Sequence, residues 1–149
     1  MAAIIIIALV VIAASSGAVF KPGEWYDKLD KPGWTPPDWA FPVVWTILYA
    51  MIAYSGWLAW HSAAPAAIAL WCLQLVFNAA WSWLFFGRKR MDLAFFDVCL
   101  LLGTILLYMA VTVSTSALAA LLFVPYAVWV TTAAALNWQV WRLNPSAAH

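Results

Sequence analysis

Charged residues divide the chain into long apolar stretches. Positions 2–20, 41–60 and 65–86 contain no Asp, Glu, Lys or Arg, and from 93 to 141 only Asp97 is charged. A helix that crosses a bilayer needs about 20 largely apolar residues. The first three stretches therefore predict one span each, two of them with a proline, Pro42 or Pro65, in the first turn, where its missing N–H is harmless. The last stretch is long enough for two. Its one turn signal is "VSTS", Val113 to Ser116, which places spans at 93–112 and 117–141. Pro125 is expected to bend the fifth, because it removes a backbone donor. The expected fold is an all-α integral membrane bundle of five helices, a single domain over 1–149, with a long structured loop at 21–40. The small residues of "AASSGA" also fit the end of a secretory signal, but no Lys or Arg precedes the first apolar run as such a signal requires. Pro42 with Trp45 and Pro125 with Trp129 echo one another at different spacings, so no transporter-like repeat is supported.

Composition agrees with a membrane protein: 67% of residues are hydrophobic and 9% charged, against roughly half and a quarter in soluble domains. A net charge of +1 gives no nucleic-acid surface. The positive charges are nonetheless ordered. Lys21, Lys28 and Lys31 fall in the first loop, Arg88, Lys89 and Arg90 in the third, and Arg142 after the last span. Five spans put all of these on one side, which predicts a cytoplasmic C-terminus with loops 1 and 3, and an N-terminus outside. Cys72 and Cys99 lie in apolar runs without metal or redox spacing and are expected to be buried structural thiols. His61 and His149 are weak candidates for haem ligation, since neither has a ligand-spaced partner.

The first loop contains "WYDKLDKPGWTPPDW", Trp25 to Trp39. Loops of this length without their own structure are usually lids or binding loops, and Pro32, Pro36 and Pro37 reduce the entropy lost on ordering it. Near the same side lie Asp97, Asn78, Gln74, Asn137, Ser15 and Ser16. Trp71, Gln74, Asn78, Trp81 and Phe85 follow one helical face, as do Trp129, Ala133 and Asn137, while Trp45 and Tyr49 pair on the second helix. Flat aromatic walls with a few amides and one carboxylate suit a large, flat, mostly apolar ligand. Plainer readings stand beside this one. Trp25, Trp39, Trp57, Trp60, Trp83 and Trp141 fit an interfacial aromatic belt; the asparagines fit hydrogen bonds between helices; and Asp97 fits either a functional or paired group, or a solvated carboxylate near a helix N-terminus.

Across nearly its whole length the sequence resembles the tryptophan-rich sensory protein / translocator protein family, also called the peripheral benzodiazepine receptors. The resemblance rests on "WYDKLDKPGWTPP", "FPVVWTILY", "QLVFNAAWSWLFF", "RKRMDLAFFDV" and "LFVPYAVWVTTAAALNW". It implies a five-helix bundle, commonly a homodimer, that binds protoporphyrin, haem-like tetrapyrroles and synthetic aromatic ligands, with no further cofactor required. By match of motif, the implied ligand contacts are Tyr26, Pro36, Trp45, Tyr49, Asn78, Trp81, Asp97, Trp129 and Ala133. Trp34 joins them as a lid residue read from the loop itself. One pattern departs: in "LNWQVWR", Leu136 to Arg142, Trp138 stands where a sterol-recognition motif wants Tyr, which leaves sterol binding without a matching motif. The implied function is a porphyrin receptor or carrier. The alternatives are an enzyme that degrades the bound porphyrin in light and oxygen, and a transporter.

Overall fold

The computed structural model describes residues 1–62 and 64–147. Among the described residues six α-helices make five spans, and a seventh lies in the first loop. Helix α1 (Ala2–Val19) leads through the loop, which contains the short α2 (Glu24–Asp27), to α3 (Ala40–His61). Helix α4 (Pro65–Ser82) continues as a wider π-turn (Trp83–Gly87) before α5 (Met91–Thr112). The last span is α6 (Ala117–Leu122) and α7 (Val124–Leu143). The spans are long and apolar enough to cross a membrane, and the protein is an integral, multi-pass membrane protein.

The span boundaries agree with the expected ones within a few residues, and local chemistry accounts for the ends. The turn at 113–116 is present, and the Ser116 side chain accepts from the Ala119 N–H to start α6. The bend expected from Pro125 is a break at Phe123. Pro125 cannot donate to the Leu121 carbonyl, and the Phe123 N–H turns back to Ala120 at 3.1 Å. The π-turn has no signature in the apolar pattern. It closes with the Arg88 N–H on the Trp83 carbonyl at 2.7 Å, and Lys89 follows at φ 55°.

The core runs the length of the bundle. Helix α5 packs against α4 and α7, while α1 lies against α3 and α4. Helices α3 and α4 approach closely where Gly56 faces Trp71: a Cβ on Gly56 would clash with the indole ring, whose Nε1 donates to the Ile52 carbonyl at 2.9 Å. Further from the loop, Tyr108 and Ser55 share a buried hydrogen bond of 2.8 Å, and Ser55 also donates to the Ala119 carbonyl. Intrahelical bonds from Ser15 and Ser16 to Val11 and Ala13 satisfy the hydroxyls of α1. Polar groups in the spans are thus largely paired within the protein, as a medium without water requires.

At the other end, Tyr26 and Leu29 of the loop are buried with Phe85, Met91, Leu136 and Val140. This cluster gathers the loop, the end of α4, the start of α5 and the end of α7 at one end of the bundle. The loop lysines, the Arg88 to Arg90 turn and Arg142 therefore share that end. One expectation is corrected. Cys72 and Cys99 are exposed on the bundle surface, because each follows a buried residue, Trp71 or Val98, and the helix turns the next position outward toward lipid.

Candidate functional site

Beneath the loop lies a cavity of about 710 Å³. Its walls come from the loop, α1, α3, α4, α5 and α7. The α3 wall carries Trp45 and Tyr49, stacked with ring centroids 5.4 Å apart. They sit on one face because four residues separate them on a helix. Trp129 of α7 stands edge-on to Trp45 at 6.5 Å and to Phe41 at 5.5 Å. Ala133, one turn further along α7, also lines the cavity.

The α4 wall depends on the π-turn. Trp81 stacks on Phe85 at 5.1 Å and meets Phe86 edge-on at 5.7 Å. Consecutive residues of a regular α-helix point about a quarter-turn or more apart; the wider turn brings both Phe85 and Phe86 to the cavity. Tyr26 closes the wall from the loop, edge-on to both phenylalanines at 6.2 and 5.5 Å. Lys31 lies 4.4 Å from the centre of the Tyr26 ring.

Two asparagines fix these aromatics. Tyr49 donates to Asn78 Oδ1 at 2.7 Å, Asn78 Nδ2 donates to the Tyr126 hydroxyl at 2.8 Å, and Tyr126 donates to Gln74 Oε1 at 2.8 Å. This chain ties α3, α4 and α7 together. Asn137 accepts from Trp81 Nε1 at 3.0 Å and donates to the Met91 carbonyl at 2.9 Å, which ties α4, α5 and α7.

Of the residues expected at the site, Tyr26, Trp45, Tyr49, Asn78, Trp81, Trp129 and Ala133 line the cavity. Trp34, Pro36 and Asp97 do not. Trp34 is 49% exposed, turned out from the loop, so the expected cover by its ring is not what the loop provides; Tyr26 and Leu29 take the inward positions. Asp97 is 7% exposed and its Oδ2 has no partner. It is not ion-paired, since the one ion pair among the described residues joins Arg90 and Asp92. Trp71 and Gln74 lie behind the wall, in the core. His61 rests on Trp57, 4.3 Å between ring centres, at the end of α3 away from the loop; His149 lies outside the described residues.

Sequence reasoning missed Tyr126, Phe41 and Phe86. Tyr126 carried a usable signal, because a phenol hydroxyl inside an apolar span must find a partner. Phe86 carried none, since its direction depends on the π-turn.

Comparison with known proteins gives one consistent outcome. The TspO/MBR family pattern matches residues 3–142. The chain is 41% identical to "Protein CrtK" of Rhodobacter capsulatus over 89% of this chain and 86% of that protein. It is 40% identical to a "Tryptophan-rich sensory protein" of Cereibacter sphaeroides, over 88% and 84%, and 36% identical to the "Translocator protein" of Homo sapiens, over 86% and 81%. The family and these names support a membrane receptor role. With five membrane-spanning helices and a family match over nearly its full length, the chain belongs to the TspO/MBR family.

Proposed function

We propose that the protein is a membrane receptor that binds porphyrins, protoporphyrin and haem-like tetrapyrroles among them, together with other flat aromatic molecules, and so adjusts tetrapyrrole level or signalling. The observation that carries this reading is the cavity of about 710 Å³ walled by two stacked aromatic pairs, Trp45 with Tyr49 and Trp81 with Phe85. Its size falls in the range of small-molecule sites, roughly 300 to 1,000 Å³, and flat rings favour stacked or edge-on partners of this kind. Asn78 and Asn137 hold the rings in place, which lowers the ordering cost of binding. The gathering of Lys and Arg at the loop end supports a cytoplasmic loop, C-terminus and cavity mouth, with the N-terminus outside. The family resemblance supports a homodimer.

The test is saturable quenching of tryptophan fluorescence by protoporphyrin in purified protein. The wild type is expected to bind stoichiometrically, and Trp45→Ala to weaken binding about tenfold through lost stacking. Quenching without saturation, or equal affinity in both proteins, would overturn the assignment.

A further inference from the structure

The protein has three arginines, Arg88, Arg90 and Arg142. Arg90 is held by Asp92 in the one ion pair among the described residues. The other two share an arrangement: the Arg88 guanidinium lies 5.9 Å from the ring centre of Trp83, and that of Arg142 lies 5.7 Å from the ring centre of Trp138. Both tryptophans are exposed, and each belongs to the last two turns of a span, at the loop end. Exposure at that level is exposure to lipid. The α4–α5 corner is the more cationic of the two places. Its π-turn closes with the Arg88 N–H on the Trp83 carbonyl, which carries Arg88 back over an indole five residues earlier. Lys89 follows at φ 55°, so a second cation occupies a backbone position that glycine fits better. Both side chains are exposed, and neither is ion-paired. The N–H groups of Arg88 and Arg90 are taken by the Trp83 and Leu84 carbonyls at 2.7 and 2.9 Å. An anion at this corner is therefore met by the Arg88 and Lys89 side chains.

Below the two cations the surface is apolar. Val76, Ala80 and Trp83 succeed one another at helical spacing, and Val76 and Trp83 are both exposed. None of Trp83, Arg88 and Lys89 lines the cavity. What fits here is an amphiphile with an anionic head. A free phosphate or an acidic peptide would use the cations and leave the apolar half bare. We propose that the α4–α5 corner binds the headgroup of an anionic glycerophospholipid from the surrounding leaflet. The phosphate oxygens accept from the Arg88 guanidinium and the Lys89 ammonium, while the Trp83 indole lies along the upper part of the acyl chains. Resting on the indole holds the planar guanidinium fork in place for the phosphate. Arg142 with Trp138 offers a weaker form of the same site, with a single cation.

The test titrates purified protein in a non-ionic detergent with phosphatidylglycerol or with phosphatidylcholine, whose choline neutralises its phosphate, and counts retained lipid by native mass spectrometry. Phosphatidylglycerol should be retained at least about tenfold more strongly, the scale of two basic residues beside an anionic lipid. Raised salt should shrink that preference. Arg88→Gln should lower it about fivefold, the scale of one such residue. Lys28→Gln removes the same charge from the loop and should leave the preference within about twofold of wild type, since a distant exposed charge is screened. Arg88→Lys should fall between wild type and Arg88→Gln, because it keeps the charge and loses the fork. Inorganic phosphate should not displace the bound lipid. Equal retention of the two lipids, or an equal loss in Arg88→Gln and Lys28→Gln, overturns the site. Displacement by inorganic phosphate overturns the lipid as its occupant.

Discussion

Asn144, the residue that ends α7, and Asp30, in the loop, are joined by two hydrogen bonds: the Asp30 N–H donates to Asn144 Oδ1 at 2.9 Å, and Asn144 Nδ2 donates to the Asp30 carbonyl at 2.8 Å. The same Nδ2 reaches the Val140 carbonyl at 2.8 Å. One amide thus caps the helix C-terminus, where carbonyls lack intrahelical donors, and fastens the loop over the cavity.

If the loop governs escape from the cavity, Asn144→Ala should release it. Two neutral hydrogen bonds contribute about 1 kcal/mol each at most in so exposed a place. Ligand dissociation should therefore quicken about five- to tenfold, with association quickened as well and affinity changed less. Stopped-flow quenching by protoporphyrin measures both rates. An unchanged dissociation rate would show that the fastening has no part in ligand exchange.

Tyr26 and Trp34 should separate in the same assay. Tyr26 is buried between the cavity and the Phe85–Phe86 pair, whereas Trp34 is turned outward. Tyr26→Ala is expected to raise the dissociation rate more than about tenfold, since an aromatic contact and its buried area are both lost. Trp34→Ala should leave it within about twofold of wild type. The reverse order would place the working face of the loop on Trp34.

Ala133 tests the α7 wall. Its methyl lies on the cavity side, one turn from Trp129, and a leucine there would project three more carbons into the space. Ala133→Leu should weaken protoporphyrin binding at least about tenfold while leaving the thermal midpoint near wild type, because the added atoms enter a cavity and not a packed core. Unchanged affinity would mean that the ligand does not lie against this helix.

The number of spans could be read from the sequence because charge is excluded from the bilayer, and with five spans the lysines and arginines of loops 1 and 3 and of the last helix end fall together at one end. The helical spacing of Trp45 with Tyr49, and of Trp129 with Ala133, likewise brought their side chains to one cavity. Which face of a span is buried was less legible. Lipid is as apolar as the core, so the positions of Cys72 and Cys99 carried no contrast, and both lie at the surface. Phe86 reached the cavity through a π-turn that leaves no trace in an apolar run. Asn144 acts through a partner 114 residues away, and no local pattern announces such a pair. Trp34 and Tyr26 looked alike as loop aromatics; only the packing of Leu29 and Tyr26 onto Phe85 decided which turned inward.

The raised pKa of the Tyr26 hydroxyl predicts how the loop responds to alkali. Burial is the main cause, and the Asp38 and Asp27 carboxylates add to it. In the released, solvated loop the hydroxyl ionises near its ordinary value of about 10. In the packed loop it resists ionisation. The packed form thus has its full stability below pH 10 and loses it as pH climbs through the ordinary value toward the raised one, because only the released form readily gives up the proton. Tyr26→Phe keeps the ring against Phe85 and Phe86 and removes the proton. Thermal midpoints between pH 8 and 11 should therefore fall more steeply in the wild type than in Tyr26→Phe, while the other tyrosines and the lysines contribute equally to both. Parallel curves would mean that the Tyr26 hydroxyl has water in the packed loop and that the loop does not seal the cavity at this point.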